Sequence, residues 1–147
     1  MQLSFILALV AVALGGAAIA TQAPINGRLA GAVGDPVAAA AISFLVGFVV
    51  LAGVVALRGG VSRGGALSAP WWIWSGGALG AFYVWASVWS VATLGVVTLV
   101  AALIFGQLTA ALILDATGAF GLDVRQISLT RVLAVSCVAA GLSLSRL

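Results

Sequence analysis

Residues 64–114 read GGALSAPWWIWSGGALGAFYVWASVWSVATLGVVTLVAALIFGQLTAALIL, a stretch without one charged side chain. A charge at the centre of a bilayer costs about 3 kcal/mol on insertion scales, so runs that avoid charge mark membrane crossings. As one helix this run would extend about 76 Å at 1.5 Å per residue, more than twice the roughly 30 Å hydrocarbon core. It has to be two helices and a turn. The turn is expected at Thr93, Leu94 and Gly95, where glycine can take the left-handed conformation that ends a helix and nothing polar supports a long loop.

Outward from there, the remaining charge-free runs are 1–27, 36–57 and 132–145. Together they predict one five-helix transmembrane domain over 1–147, with helices at 3–32, 36–58, 71–93, 97–117 and 129–146. The first is longer than an upright crossing needs, so it is expected to tilt or to bend at Pro24, where a backbone donor is missing. Its start, Leu3 to Ala20, has the apolar core of a signal peptide without the basic leading segment, and reads as the first crossing. Asp35 and Pro36 form a helix start, a capping carboxylate followed by a residue suited to the first helical position. The fifth helix spans only if Arg131 and Arg146 snorkel to opposite interfaces; otherwise four helices and a surface-lying tail result. Gly59 to Ala69 is the one loop of length.

Composition agrees with lipid as the solvent. The 147 residues hold six arginines and three aspartates, with no lysine, glutamate or histidine, and 64% are hydrophobic. An average soluble domain of this length would carry roughly 37 charged residues. The net charge of +3 comes from arginines scattered singly at the ends of apolar runs, which is a topology signal and no nucleic-acid surface. The lone Cys137 cannot form an internal disulfide, and without His, Glu or Lys there is no metal-ligand set, no cofactor motif and no His-dependent nucleophile. An enzyme is not expected.

Three constellations could carry function. On the first helix, at 100° per residue, Gly15, Ala18, Gln22 and Asn26 fall within a stripe of about 60°. Two amides on a face of small residues must look inward, either binding helices together or contacting a solute. On the third helix Trp71, Trp74, Trp85 and Trp89 share a stripe with Ala78 and Phe82, while Gly76, Gly80, Tyr83 and Ser87 make a small, polar opposite face. Trp71 and Trp72 beside Pro70 read as interface anchors. Trp85, about 21 Å further along the helix, reads either as packed or lipid-facing, or as a ring that stacks on a planar or cationic ligand. On the fourth helix Gln107 is the best-centred polar side chain, and Gly106 thins the backbone beside it. It reads as an interhelical hydrogen bond or as a neutral contact that orients a solute. Asp115 stands near the C-terminal end of that helix, where the macrodipole disfavours a carboxylate. An arginine partner, Arg28, Arg125 or Arg131, is the preferred explanation; coupling to a proton or substrate is the alternative.

The order of these marks has a counterpart. Gln-Ala-Pro-Ile-Asn at 22–26, Ser-Phe-Leu-Val-Gly at 43–47, Pro-Trp-Trp-Ile-Trp-Ser-Gly-Gly at 70–77, Gly106 with Gln107, Asp115, Gly118 and Gly121 together resemble the YdcZ-like family of the drug/metabolite transporter superfamily, along nearly the whole chain. The resemblance implies an all-α inner-membrane carrier of bacteria, a five-helix unit half the size of the ten-helix members, assembling in pairs of opposite orientation. It assigns no substrate-binding residues, so Gln22, Asn26, Trp85 and Gln107 as substrate contacts, with Asp115 as coupling group or structural ion pair, rest on the residue reading. Smaller drug-exporting relatives use a first-helix glutamate for proton-coupled cation export. This chain has no glutamate, so coupling would use Asp115 or be absent.

The expectation is a transporter of small organic solutes working by alternating access, with a polar, Trp-lined site near the midplane. A passive dual-topology channel and a non-transporting accessory subunit are the alternatives. With the N-terminus in the cytoplasm, Arg58, Arg63, Arg125 and Arg131 lie inside and Arg28 and Arg146 outside, a weak bias that lets one chain insert either way. The partners expected are the bilayer, a solute, and a second copy in antiparallel orientation or an oppositely oriented paralogue.

Overall fold

A computed structural model describes residues 2–60 and 70–145. Most of the loop expected over Gly59–Ala69, and with it Arg63, lies outside the described residues, as does Arg146. All regular elements among the described residues are helical. Helix α1 is Gln2–Val33 and α2 is Pro36–Leu57. A 3-10 turn at Trp71–Trp74 leads into a helical stretch, Ser75–Thr117, interrupted at Gly95 by φ 72° and ψ 164°. No helix runs through those angles, so the stretch is two helices, α3 (75–94) and α4 (96–117), and the break falls within the turn expected at 93–95. After a second 3-10 turn, Ala119–Gly121, α5 is Leu129–Leu144.

Three stretches are long and apolar enough to cross a bilayer: Phe5–Val33, Pro36–Leu57 and Trp71–Thr117; Leu129–Leu144 is apolar but shorter. Helix α1 continues through Pro24. Its 32 residues extend about 48 Å at 1.5 Å per residue, which leaves tilt or protrusion to absorb the excess. The third helix, expected from residue 71, opens instead with the 3-10 turn, held by the Ile73 N–H on the Pro70 carbonyl at 3.1 Å.

The chain divides into two compact units, Met1–Ala92 and Thr93–Leu147. In the first, α1 and α2 pack as a hairpin joined by only Gly34 and Asp35. The Gly34 N–H closes α1 on the Ala30 carbonyl at 2.8 Å. Asp35 then opens α2, accepting the Val37 and Ala38 N–H groups at 3.0 and 3.2 Å. At the far end of α2 the Gly60 N–H reaches back to the Val55 carbonyl at 2.9 Å, a reverse closure typical of glycine-ended helices. The core is thin. Ala39 and Ala40 of α2 meet Val84 and Val88 of α3, flanked by Leu29 and Ala30 of α1 and by Tyr83 and Trp85. Among the described residues no large side chain is fully buried, while side chains such as Phe48 and Leu51 stand exposed. In lipid this carries no penalty, because the surrounding chains are as apolar as leucine.

The second unit is a hairpin of α4 and α5 tied at both ends. Asp115 and Arg131 form an ion pair where α4 ends and α5 begins. At the other end the Thr98 hydroxyl donates to the Ser145 carbonyl at 3.2 Å. The corner depends on Gly118, left-handed at φ 62°, where a Cβ would lie 2.7 Å from Val124 Cγ2 and 3.0 Å from the Leu122 carbonyl oxygen. Beyond it the Arg125 N–H donates to the Asp115 backbone carbonyl at 2.8 Å, and Ser128 caps α5 by accepting the Arg131 N–H.

Candidate solute-binding site

Gln22 and Asn26 sit one turn apart on α1 and both turn toward α2. Their amide nitrogens donate to one atom, Ser43 Oγ, at 3.2 and 3.1 Å. An amide among apolar side chains must be paired, and a serine hydroxyl with two lone pairs can serve both. Asn26 is buried, and Gln22 and Ser43 are half-buried.

The cluster opens into a cleft of about 370 Å³ lined by Gln22, Ser43, Phe44, Gly47, Phe48, Leu51 and Val84. On its other side Gln22 and Asn26 border a narrow crevice against Tyr83 and Ser87, the polar face of α3 read from the sequence. Ser87 is buried and donates within its own helix, to the Tyr83 carbonyl at 2.8 Å.

Trp85 lies elsewhere in the same unit. It lines a separate cavity of about 400 Å³ with Val37, Ala40, Ala41, Phe44 and Phe82. Its ring stacks on Trp89 at 6.2 Å and 16° and tilts against Phe82 at 5.8 Å. Phe44 lines both cavities. Gln22 and Asn26 do not reach the tryptophan cavity, so the one polar, Trp-lined site expected from sequence is two cavities within this unit.

Gln107 belongs to the second unit, where it is exposed and has no hydrogen-bond partner among the described residues. Asp115 has Arg131 against it, out of the three arginines considered, with the two side chains 28% and 33% exposed. Arg131 Nη2 makes the bond and Nη1 is buried without a partner. A cavity of about 130 Å³ lies beside the pair, walled by apolar side chains of α4 and α5. No group of metal-ligating side chains occurs among the described residues.

Sequence reasoning did not single out Ser43 as a site residue. The available signal was that it is the one polar side chain in the whole of Pro36–Leu57. A single hydroxyl in such a helix has to be matched from a neighbouring one, and the amides of α1 are what match it.

Comparison with known proteins matches the chain to a family. The profile of the family described as "Putative inner membrane exporter, YdcZ" covers residues 7–144. No curated protein and no solved structure matches the chain.

Proposed function

Since the chain belongs to the YdcZ family of drug/metabolite-type membrane transporters, we propose that it carries small organic solutes across the bacterial inner membrane by alternating access. The family, described as "Putative inner membrane exporter, YdcZ", places the protein in the inner membrane, and its apolar helices of spanning length make it multi-pass. The observation that carries the reading is the cleft beside Gln22, Asn26 and Ser43. Three neutral polar side chains are held together inside two largely apolar helices, next to space enough for a small molecule.

In this proposal five helices cross the membrane and the working unit is an antiparallel pair of identical chains, or one chain with an oppositely oriented paralogue. Gln107 supports the pairing. Its exposed amide lies in the interior of α4, and an amide left unpaired in hydrocarbon is costly, so a second copy is its natural partner. An odd number of crossings and a weak arginine bias let two oppositely inserted copies recreate the inverted repeat of longer carriers. Trp85 provides an aromatic wall in its own cavity, and Asp115 holds the α4–α5 corner through Arg131.

The test uses proteoliposomes loaded with an extract of bacterial small metabolites, with efflux followed by mass spectrometry. One or more solutes are expected to leave only through vesicles that contain protein, and Gln107→Leu is expected to fold and to abolish that efflux. Efflux unchanged by Gln107→Leu would leave that residue as packing alone. For topology, a Ser62→Cys reporter on a Cys137→Ala background is expected to be labelled from both faces of intact membranes. Labelling from one face only would exclude the dual-topology homodimer.

A further inference from the structure

The serines inside the helices follow a rule that Ser43 breaks. Ser87, Ser90, Ser136 and Ser143 each donate to the carbonyl four residues earlier, at 2.6 to 3.0 Å, and so spend their hydroxyl hydrogen on their own helix. Ser43 makes no such bond. Its oxygen accepts the Gln22 and Asn26 amides instead, which occupies both lone pairs and leaves one O–H donor. Among the described residues that hydrogen has no acceptor. Two donors aimed at the oxygen polarise the O–H bond and strengthen it as a donor.

The donor is placed on the wall of the 370 Å³ cleft, and Gln22 lines the same cleft. Gln22 spends one N–H on Ser43 and keeps its carbonyl oxygen as an acceptor. The cleft wall thus carries one strong donor and one acceptor side by side, above Phe44, Phe48, Gly47 and Val84. None of the cleft's lining residues is ionisable. The nearest charge along α1 is Arg28, exposed and about 9 Å further along the axis from Gln22. An ion entering the cleft would lose hydration without meeting a counter-charge, whereas a neutral group would exchange its water hydrogen bonds for two protein ones.

We infer that this cleft is a binding site for an uncharged, single-ring-sized amphipathic molecule, whose carbonyl or hydroxyl oxygen accepts from Ser43 Oγ while its own N–H or O–H donates to the Gln22 carbonyl. The inference deepens the transport reading and rests on it for its physiological meaning. The cleft volume lies near the lower end of small-molecule pockets, which suits one ring against Phe44 and Phe48 and excludes large multi-ring compounds. Gly47 gives an independent handle. A Cβ built there meets nothing within 4 Å, so a larger side chain would extend into the cleft without disturbing the helix.

The test is saturable binding to the full chain in nanodiscs, referenced to empty nanodiscs, with four probes of one shape: benzamide, benzoate, benzylammonium and ethylbenzene. Benzamide is expected to saturate and to bind at least tenfold more tightly than the other three. Ser43→Ala is expected to lose at least tenfold of the benzamide affinity, and Ser43→Thr, which keeps the hydroxyl, to retain most of it. Gly47→Leu is expected to abolish binding with an unchanged melting temperature. Benzoate or benzylammonium binding as tightly as benzamide, benzamide binding that survives Gly47→Leu, or no saturation at all would overturn the site. If Ser43→Ala does not fold, the probe ranking and Gly47→Leu decide. The two readings fail separately. Saturable benzamide binding without any solute efflux removes transport and keeps the site, while efflux of a charged solute untouched by Gly47→Leu removes the site and keeps transport.

Discussion

The two units solve the same problem, polar groups among apolar helices, in opposite ways. In Met1–Ala92 the polar side chains bonded to one another between helices are neutral, two amides and a hydroxyl, and they lie within the helices. In Thr93–Leu147 they are a carboxylate and a guanidinium, and they lie where one helix ends and the next begins. Depth decides which chemistry is tolerable, since the cost of a charge falls steeply toward the interface where long side chains reach water. The neutral cluster has a second property that the ion pair lacks. It leaves a donor and an acceptor over beside a cleft of about 370 Å³, whereas the ion pair leaves over only a donor, Arg131 Nη1, beside a cavity of about 130 Å³. The first arrangement suits a site that must bind and release; the second suits a clamp.

Breaking the clamp side should have the largest effect on stability. Gly118→Val combines a left-handed backbone with a Cβ only 2.7 Å from Val124 Cγ2, and is expected to cost about 3 kcal/mol, read as a lowered melting temperature in detergent. Next, Arg131→Met leaves Asp115 unpaired. For a pair about one-third exposed the expected loss is about 2 kcal/mol, between the exposed and the buried cases. Replacing both Asp115 and Arg131 with leucine is expected to restore most of that loss, and Asp115→Asn to keep solute efflux while lowering the melting temperature. Loss of efflux in Asp115→Asn at normal stability would move Asp115 from clamp to coupling group.

On the other side of the comparison, Ser43→Ala removes the shared acceptor of two amides and is expected to cost about 1 kcal/mol of stability, alongside the loss of at least tenfold in binding. A stability loss with binding intact would make the amide cluster a clamp too, and erase the contrast. The smallest effect is expected for Thr98→Val, about 0.5 kcal/mol, since its 3.2 Å bond to the Ser145 carbonyl ties only the far end of the second hairpin.

What could be read from the sequence was whatever is local along the chain. Charge-free runs and the lone Gly95 placed the break between α3 and α4, because the length of a crossing is fixed by the bilayer. Asp35 followed by Pro36 gave the start of α2, because capping is decided within four residues. Asp115 needed an arginine, and only packing could select Arg131 over Arg28 and Arg125. The site was less legible for the same reason. Gln22 and Asn26 shared a face by periodicity, yet their common partner Ser43 lies on another helix. The amides looked inward from α1 while Trp85 read as packed, lipid-facing or ligand-facing, and the sequence carries no sign that Gln22 and Trp85 line different cavities with Phe44 common to both.

The central claim is that the protein is a carrier with a finite number of binding sites. The most direct measurement is the initial rate of efflux from proteoliposomes as a function of internal concentration, for a solute whose release from the loaded metabolite extract depends on the protein. The account predicts a rate that saturates, and that falls to the level of protein-free vesicles in Gly47→Leu. A rate that rises linearly over the whole range would show a channel, and no protein-dependent efflux of any solute would show a structural subunit; either result contradicts the account.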